Sequence, residues 1–190
     1  MSDELSSVLQ RFERQPAGAS VEPMTPDQQH VLRSMMARFA TGVTVVAARQ
    51  GPLLAGMTAN AIASISINPP LMMASIGQRS ETHAAITASH SFAVSVLAAG
   101  QRQLADCFAQ STTAAKLQRF CDAAWHEGET GSPILDGAIA YFDCRLVARH
   151  PGGDHTIFVG EIVAAGFDEA AEPLIWYGSR YRQLSPDEPG

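Results

Sequence analysis

The stretch AIAYFDCRLVARHPGGDHTIFVGEIVAA, residues 138–165, decides the fold. In its first half Ala138, Ala140, Phe142, Cys144 and Leu146 alternate with Ile139, Tyr141, Asp143 and Arg145. A period of two places successive side chains on opposite faces of a strand. Pro151-Gly152-Gly153-Asp154 reads as a turn, and residues 156–165 return as a second strand. Two long strands joined by a tight turn predict an antiparallel hairpin.

Further strands lie on either side. Phe92, Val94 and Val96 alternate, and the apolar run at 71–76 has the length of a buried strand. Residues 43–47 are rich in β-branched side chains, Gln50-Gly51-Pro52 reads as a hairpin turn, and residues 53–57 as its return strand. Residues 58–67 are crowded with small side chains, among them Ala59, Ala61, Ala63, Ser64 and Ser66. Asn68-Pro69-Pro70 then breaks the chain, because a residue before proline is pushed toward extended conformations. Residues 173–177 form the last of about seven expected strands.

Helical signals are fewer. Thr25 is an N-cap, Pro26 suits the first helical position and Gln28 completes a capping box. Val31, Leu32, Met35, Met36 and Phe39 share one face of a helix expected to end near 39–42. Ser80 caps a short helix to about Ser89. Residues 101–110 have helical texture, with Leu104, Cys107 and Phe108 on the apolar side. Residues 111–133 read as irregular and polar, anchored by Trp125. The expected organisation is a flexible arm at 1–24, one domain at 25–184 and a flexible tail at 185–190. The fold class is mostly β with peripheral helices, as an antiparallel barrel. No G-x-G-x-x-G follows a strand and no P-loop is present, which argues against a doubly wound nucleotide fold.

Composition narrows the function. The chain has 190 residues, enough for one domain with a core. A net charge of −6 with no basic run excludes a nucleic-acid binder. No 18-residue apolar stretch exists, so no membrane helix is expected, and residues 1–20 lack the apolar core of a secretory signal. Cys107, Cys121 and Cys144 are odd in number and widely spaced. They fit neither a disulfide framework nor a metal motif, so a reducing, cytoplasmic setting is expected. His83, His90, His126 and His150 have no ligand spacing, and no metal is expected.

Four blocks carry a family resemblance. They are Arg38-Phe39-Ala40-Thr41-Gly42-Val43-Thr44-Val45-Val46; Gly56-Met57-Thr58-Ala59-Asn60-Ala61 with Ser64 and Asn68-Pro69-Pro70-Leu71; Ser75 through Thr82 with Phe92-Ala93-Val94-Ser95-Val96-Leu97; and Gly153-Asp154-His155 leading into Phe158-Val159-Gly160-Glu161. In this order and spacing, from about 30 to about 182, the chain resembles the short-chain flavin reductase family. The resemblance implies a Greek-key type split β-barrel, usually a homodimer, that binds FMN or FAD. It further implies NADH or NADPH as hydride donor and a separate flavin-dependent oxygenase that receives the reduced flavin. NADH is the family-based preference between the two donors. The cofactors carry such chemistry themselves, which fits a sequence with no triad or carboxylate pair, and no catalytic side chain is expected.

The resemblance assigns flavin contact to Thr41, Gly42, Val43, Thr58, Ala59, Asn60, Ala61, Ser64, Ser75, Ile76, Arg79, Ser80 and Thr82. Small side chains at 58–61 let peptide groups approach a flat ring and stabilise charge on it; tight strand packing is the other use of such residues. Ser80 beside Arg79 suits a phosphate at a helix N-terminus, where an ordinary N-cap is the other use. His155 and Tyr181 are the candidates for the nicotinamide, His155 by positioning; a surface histidine and a solvated terminal turn at Arg180-Tyr181 are the alternatives. Trp125 and Trp176 read as packing residues. Two rival functions remain on the same barrel. One is a flavin-binding protein without turnover. The other is an oxidase of the kind that acts on pyridoxine phosphate, whose basic phosphate-binding residues have no match here.

Overall fold

The computed structural model describes residues 23–110, 116 and 119–184. The expected arm at 1–24, apart from its last two residues, and the tail at 185–190 lie outside the described residues. The chain divides into two units. Among the described residues, the smaller holds 23–41 and 176–181, and the larger holds 42–175 and 182–184. No helix among the described residues is long and apolar enough to cross a membrane.

The smaller unit contains helix α1 (Pro26–Met36). Thr25 and Gln28 form the expected capping box, with Pro26 in the first turn. The helix stops at Met36, earlier than its apolar period suggests, and none of its residues is buried. Met36 and Phe39 are 66% and 73% exposed, so the apolar face found in the sequence is left open among the described residues. Trp176 packs edge-on against Tyr181, with ring centroids 5.0 Å apart. Tyr181 lies in a further strand, β12 (Arg180–Arg182), beyond the segment expected to be the last.

The larger unit is built on one sheet of seven antiparallel strands, in the order β3-β2-β6-β9-β10-β5-β4. These are β2 (Thr44–Gln50), β3 (Leu53–Ala59), β4 (Ile62–Ser66), β5 (Leu71–Gly77), β6 (Ser91–Val96), β9 (Ala140–Gly152) and β10 (His155–Phe167). β4 was not expected from the small-residue stretch; it forms because Ile62 and Ser64 pair with Ala74 and Met72 of β5. The deciding hairpin is tighter than its Pro-Gly-Gly-Asp signature suggests. Pro151 and Gly152 stay in β9, and only Gly153 and Asp154 turn, with Gly153 at φ +72. Three short strands, β1 (Thr41–Gly42), β11 (Ile175–Tyr177) and β12, form a second sheet in the order β1-β11-β12.

Sequence neighbours β3 and β4 lie at opposite edges of the seven-stranded sheet. Only Asn60 and Ala61 join them. Laid flat, six strand spacings would separate those edges by about 29 Å. Three Cα–Cα steps reach about 11 Å. The sheet must therefore curl until its edges approach, and Asn60-Ala61 sits at the seam.

Inside the curl, Val46, Met72, Ala74, Ile76, Phe92, Val94 and Phe158 form the core, joined by Ala85 and Ile86 of helix α2 (Glu81–Ser89). β6 is buried on both faces. Its second face is covered by the ribbon of β7 (Trp125–Glu127) and β8 (Pro133–Leu135), in a region the sequence left irregular. Polar groups hold that layer: Ser95 Oγ accepts from Leu135 N–H, Ser132 Oγ donates to Ser91 Oγ, and the buried Asp143 carboxylate accepts from Thr130 N–H and hydroxyl.

One cysteine expectation fails. Cys107, on helix α3 (Arg102–Ala109), is bonded to Cys121 across 14 residues. Wide spacing hid the pair because the fold, not the local sequence, brings the two together; Phe108 and Phe120, their neighbours, meet edge-on at 5.0 Å. The cysteine argument for a reducing setting therefore lapses. Cys144 remains a free, buried thiol, its pKa pushed up to about 12 by burial and then by Asp143.

Gly160 marks the tightest point of the core. A Cβ there would stand 2.7 Å from both the Phe92 ring and Cys144 Cβ. Since both neighbours are fully buried, Gly160→Ala should lower unfolding free energy by about 1–3 kcal/mol, as overpacking does. Denaturant titration of the variant checks this as a lower midpoint.

Candidate functional site

The curled sheet gathers many of the candidate residues at one end. β3 ends at Ala59, the seam follows, and β5 ends at Gly77 with Gln78, Arg79 and Ser80 leading into α2. Ser80 caps α2: its Oγ accepts from His83 N–H at 3.1 Å and donates to Gly77 O at 2.8 Å. The hydroxyl is thus spent on the cap, and an anion here would meet the helix N-terminus and its flanking cations.

Those cations line a cavity of about 280 Å³ with Thr58 and Phe108. Arg79 is exposed at its rim. Lys116 is buried at its wall and donates to Gln110 O at 3.1 Å. Burial lowers the Lys116 pKa, and Glu81, also in the lining, partly offsets this. Thr58 donates to Ala105 O at 2.6 Å, tying β3 to α3. Gly56 lets that helix sit close, since a Cβ there would meet the Phe108 ring at 2.8 Å. Lys116 escaped the sequence reading because a single lysine in a polar stretch carries no motif.

A second group lies on the β5–β10 surface. His155 pairs with Gly77, and Ile157 with Ser75. Alternation puts Ser75 and His155 on the face opposite Ile76 and Phe158. A Cβ at Gly77 would stand 3.8 Å from His155 Nε2, so the ring lies over bare backbone. His155 Nδ1 is 2.7 Å from Asp154 Oδ1. An ionised carboxylate only accepts, so Nδ1 carries the proton and the ring is held in one orientation.

The remaining candidates divide. Ala61 O accepts from Ser75 N–H at 3.0 Å, Ala59 O accepts from Thr44 Oγ1 at 2.6 Å, and Asn60 between them is exposed. Ile76 and Thr82 are buried in the core, so either one reaches a ligand only through its backbone. Val43 is also buried, and its N–H and O are both engaged, with Leu174 and Leu97. Ser64 pairs with Met72, on the other face of β5 from Ser75. Gly42 is exposed with open space at its Cα. Thr41 and Tyr181 belong to the smaller unit, where Thr41 Oγ1 is buried without a hydrogen-bond partner among the described residues.

Helix α2 also carries His83, whose Nε2 lies 2.9 Å from Thr156 Oγ1. Desolvation, then the nearby Arg149 charge, lowers its pKa.

The Asp154 carboxyl is held below its ordinary range, first by the hydrogen bond from His155 and then by that ring's charge. A group with a depressed folded pKa contributes above its unfolded value, and that contribution fades as pH falls through the folded one. The Asp154–His155 contact is therefore intact at neutral pH. A ¹³C carboxylate titration of Asp154 should give a midpoint below the usual aspartate range, and His155→Ala should move it back up.

The sequence profile of the family described as flavin reductase like domain matches residues 36–185. The FMN reductase (NADH) SmoA of Agrobacterium fabrum is 38% identical over 155 residues, 80% of this chain and 84% of its own. The NADH:FAD oxidoreductase SgcE6 of Streptomyces globisporus, solved in complex with NAD and FAD fragments, is 39% identical. It superimposes with a TM-score of 0.79 over 88% of this chain and 99% of that one. BorF, the flavin reductase component of a bacterial two-component tryptophan halogenase, is 35% identical with a TM-score of 0.77, over 84% and 99% of the two chains.

Proposed function

This chain belongs to the family of flavin reductase like domains, and from that premise we propose that it is an oxidoreductase that uses NADH to reduce FMN or FAD. The observation that carries the reading is the juxtaposition of two features at one end of the sheet: a cation-lined cavity at the start of α2, and a histidine fixed over bare backbone at Gly77. The relatives named as NADH-dependent reductases of FMN and of FAD support the cofactor pair.

The residues present fit a flavin. Arg79, Lys116 and the α2 N-terminus supply positive charge for its phosphate. The small-residue segment at 58–61 brings peptide groups to the seam, where they can meet a ring edge. When bound, a flavin accepts hydride from a dihydronicotinamide, so the protein needs no general base. His155 orients the nicotinamide cofactor, and Asp154 keeps its ring in place. Ser75 lies on the same face and lines the approach.

The sheet is proposed to close as a split barrel of Greek-key type, a reading supported by the two-residue link between its edges. A homodimer is proposed on the apolar face of Met36 and Phe39, which is exposed among the described residues. Residues 25–184 would form the working domain. BorF, as one component of a two-component system, supports a separate oxygenase as the acceptor of reduced flavin. A cytoplasmic setting goes with NADH as donor.

Absorbance at 340 nm tests the reading. Loss of NADH with excess FMN or FAD is expected; a bound flavin that NADH and NADPH both fail to bleach would instead make this a flavin-binding protein. The phosphate assignment has its own check. Arg79→Ala/Lys116→Met should weaken flavin binding at least tenfold, roughly 1.4 kcal/mol, and an unchanged Kd in a fluorescence titration would remove it.

A further inference from the structure

Gln78 follows directly on β5, and its polar hydrogens point one way. Its backbone N–H donates to Asp154 O at 3.1 Å. Its side-chain Nε2 donates to His155 O at 3.1 Å and to Gly153 O at 3.3 Å. One residue therefore binds three consecutive carbonyls of the turn that carries His155. A primary amide has two protons, so Nε2 can serve both acceptors at once.

The turn needs such a clamp. Gly153 and Asp154 form it and Gly152 leads into it from the end of β9; all three are exposed, with Gly153 at positive φ. Glycine pairs are loose because they lose the most backbone freedom on ordering. The β5–β10 ladder ends at the Gly77–His155 pair and the β9–β10 ladder at the Gly152–His155 pair, so Gly153 and Asp154 lie beyond both. His155 is the first residue of β10, so any swing of the turn displaces its ring. Asp154 fixes the rotation of that ring, but it rides on the same turn and moves with it. Gln78 stands on the opposing strand end, beside the Arg79 and Ser80 that border the cavity, and gives the turn an external reference.

We propose that Gln78 is a positioning residue, which sets the place of His155 relative to the β5 end by pinning the Gly153–His155 backbone. The inference rests on the reading of His155 as the residue that orients the nicotinamide. It assigns to Gln78 no contact with flavin or nicotinamide. Its effect should appear in the use of NADH and leave flavin binding alone. Because His155 is read as orienting NADH, its displacement should weaken the use of NADH even though the turn is exposed.

Gln78→Met keeps the length and removes the side-chain donors; Gln78→Glu puts an acceptor against two carbonyls. The KM for NADH should rise about tenfold in the first and further in the second, with flavin Kd and kcat within about twofold. Combining Gln78→Met with His155→Ala should be no worse than His155→Ala alone, because a residue acting through another is not additive with it. In histidine-labelled, flavin-free protein the His155 ring resonances should shift in Gln78→Met. Unchanged KM in both variants, additive losses in the double variant, or a parallel fall in flavin affinity and melting temperature would each overturn the proposal. The resonance measurement keeps the two readings apart. If the wild-type chain oxidises no NADH with any flavin, the reductase reading falls, while the shift still decides whether Gln78 places His155.

Discussion

Everything in the larger unit depends on a two-residue link. Asn60 and Ala61 connect strands at opposite edges of a seven-stranded sheet, and so short a tether forbids a flat sheet. Curling the sheet encloses one face, which becomes the core of Phe92, Phe158, Ile76 and their neighbours. It also leaves a seam where the ladder stops. Of the peptide groups at this seam, Ala59 O and Ala61 O are engaged by Thr44 and Ser75, and the exposed Asn60 lies between them.

The core imposes its own conditions on that geometry. Gly160 has no room for a side chain, and Gly56 brings α3 against β3. α3 is in turn fastened by the Cys107–Cys121 bond and by Thr58 to Ala105. The α3 wall of the cavity is thus positioned by backbone contact and a covalent cross-link.

On the opposite side of β5, alternation separates structure from chemistry. Ala74, Ile76 and Phe158 point inward and are fully buried. Ser75 and His155 point the other way, in the same few residues of the same two strands. The hairpin that looked most informative as a fold signal is also the one whose tip carries the histidine. The hydrogen bonds at this tip, from the His155 ring to Asp154 and from Gln78 to the backbone, fix orientation.

Much of this was legible in the residues themselves. Period-two alternation marked β6 and β9, the turn after β9 marked β10 as its return strand, and the Thr25 and Ser80 caps marked α1 and α2, because these are local effects of backbone geometry and nearest hydrogen bonds. The four motif blocks named the family. What stayed hidden depended on distant pairing. β4 has no alternation of its own and exists through β5; β7 and β8 are three residues each. Cys107 meets Cys121 only after α3 docks, Ile76 and Thr82 look like motif members until burial removes their side chains, and Lys116 reaches the cavity from a stretch with no pattern. The sequence alone determined which segments extend or coil and which residue types carry charge. Only the tertiary structure decided which of them face one another, since that depends on how a curled sheet sets register and edges across long stretches of chain.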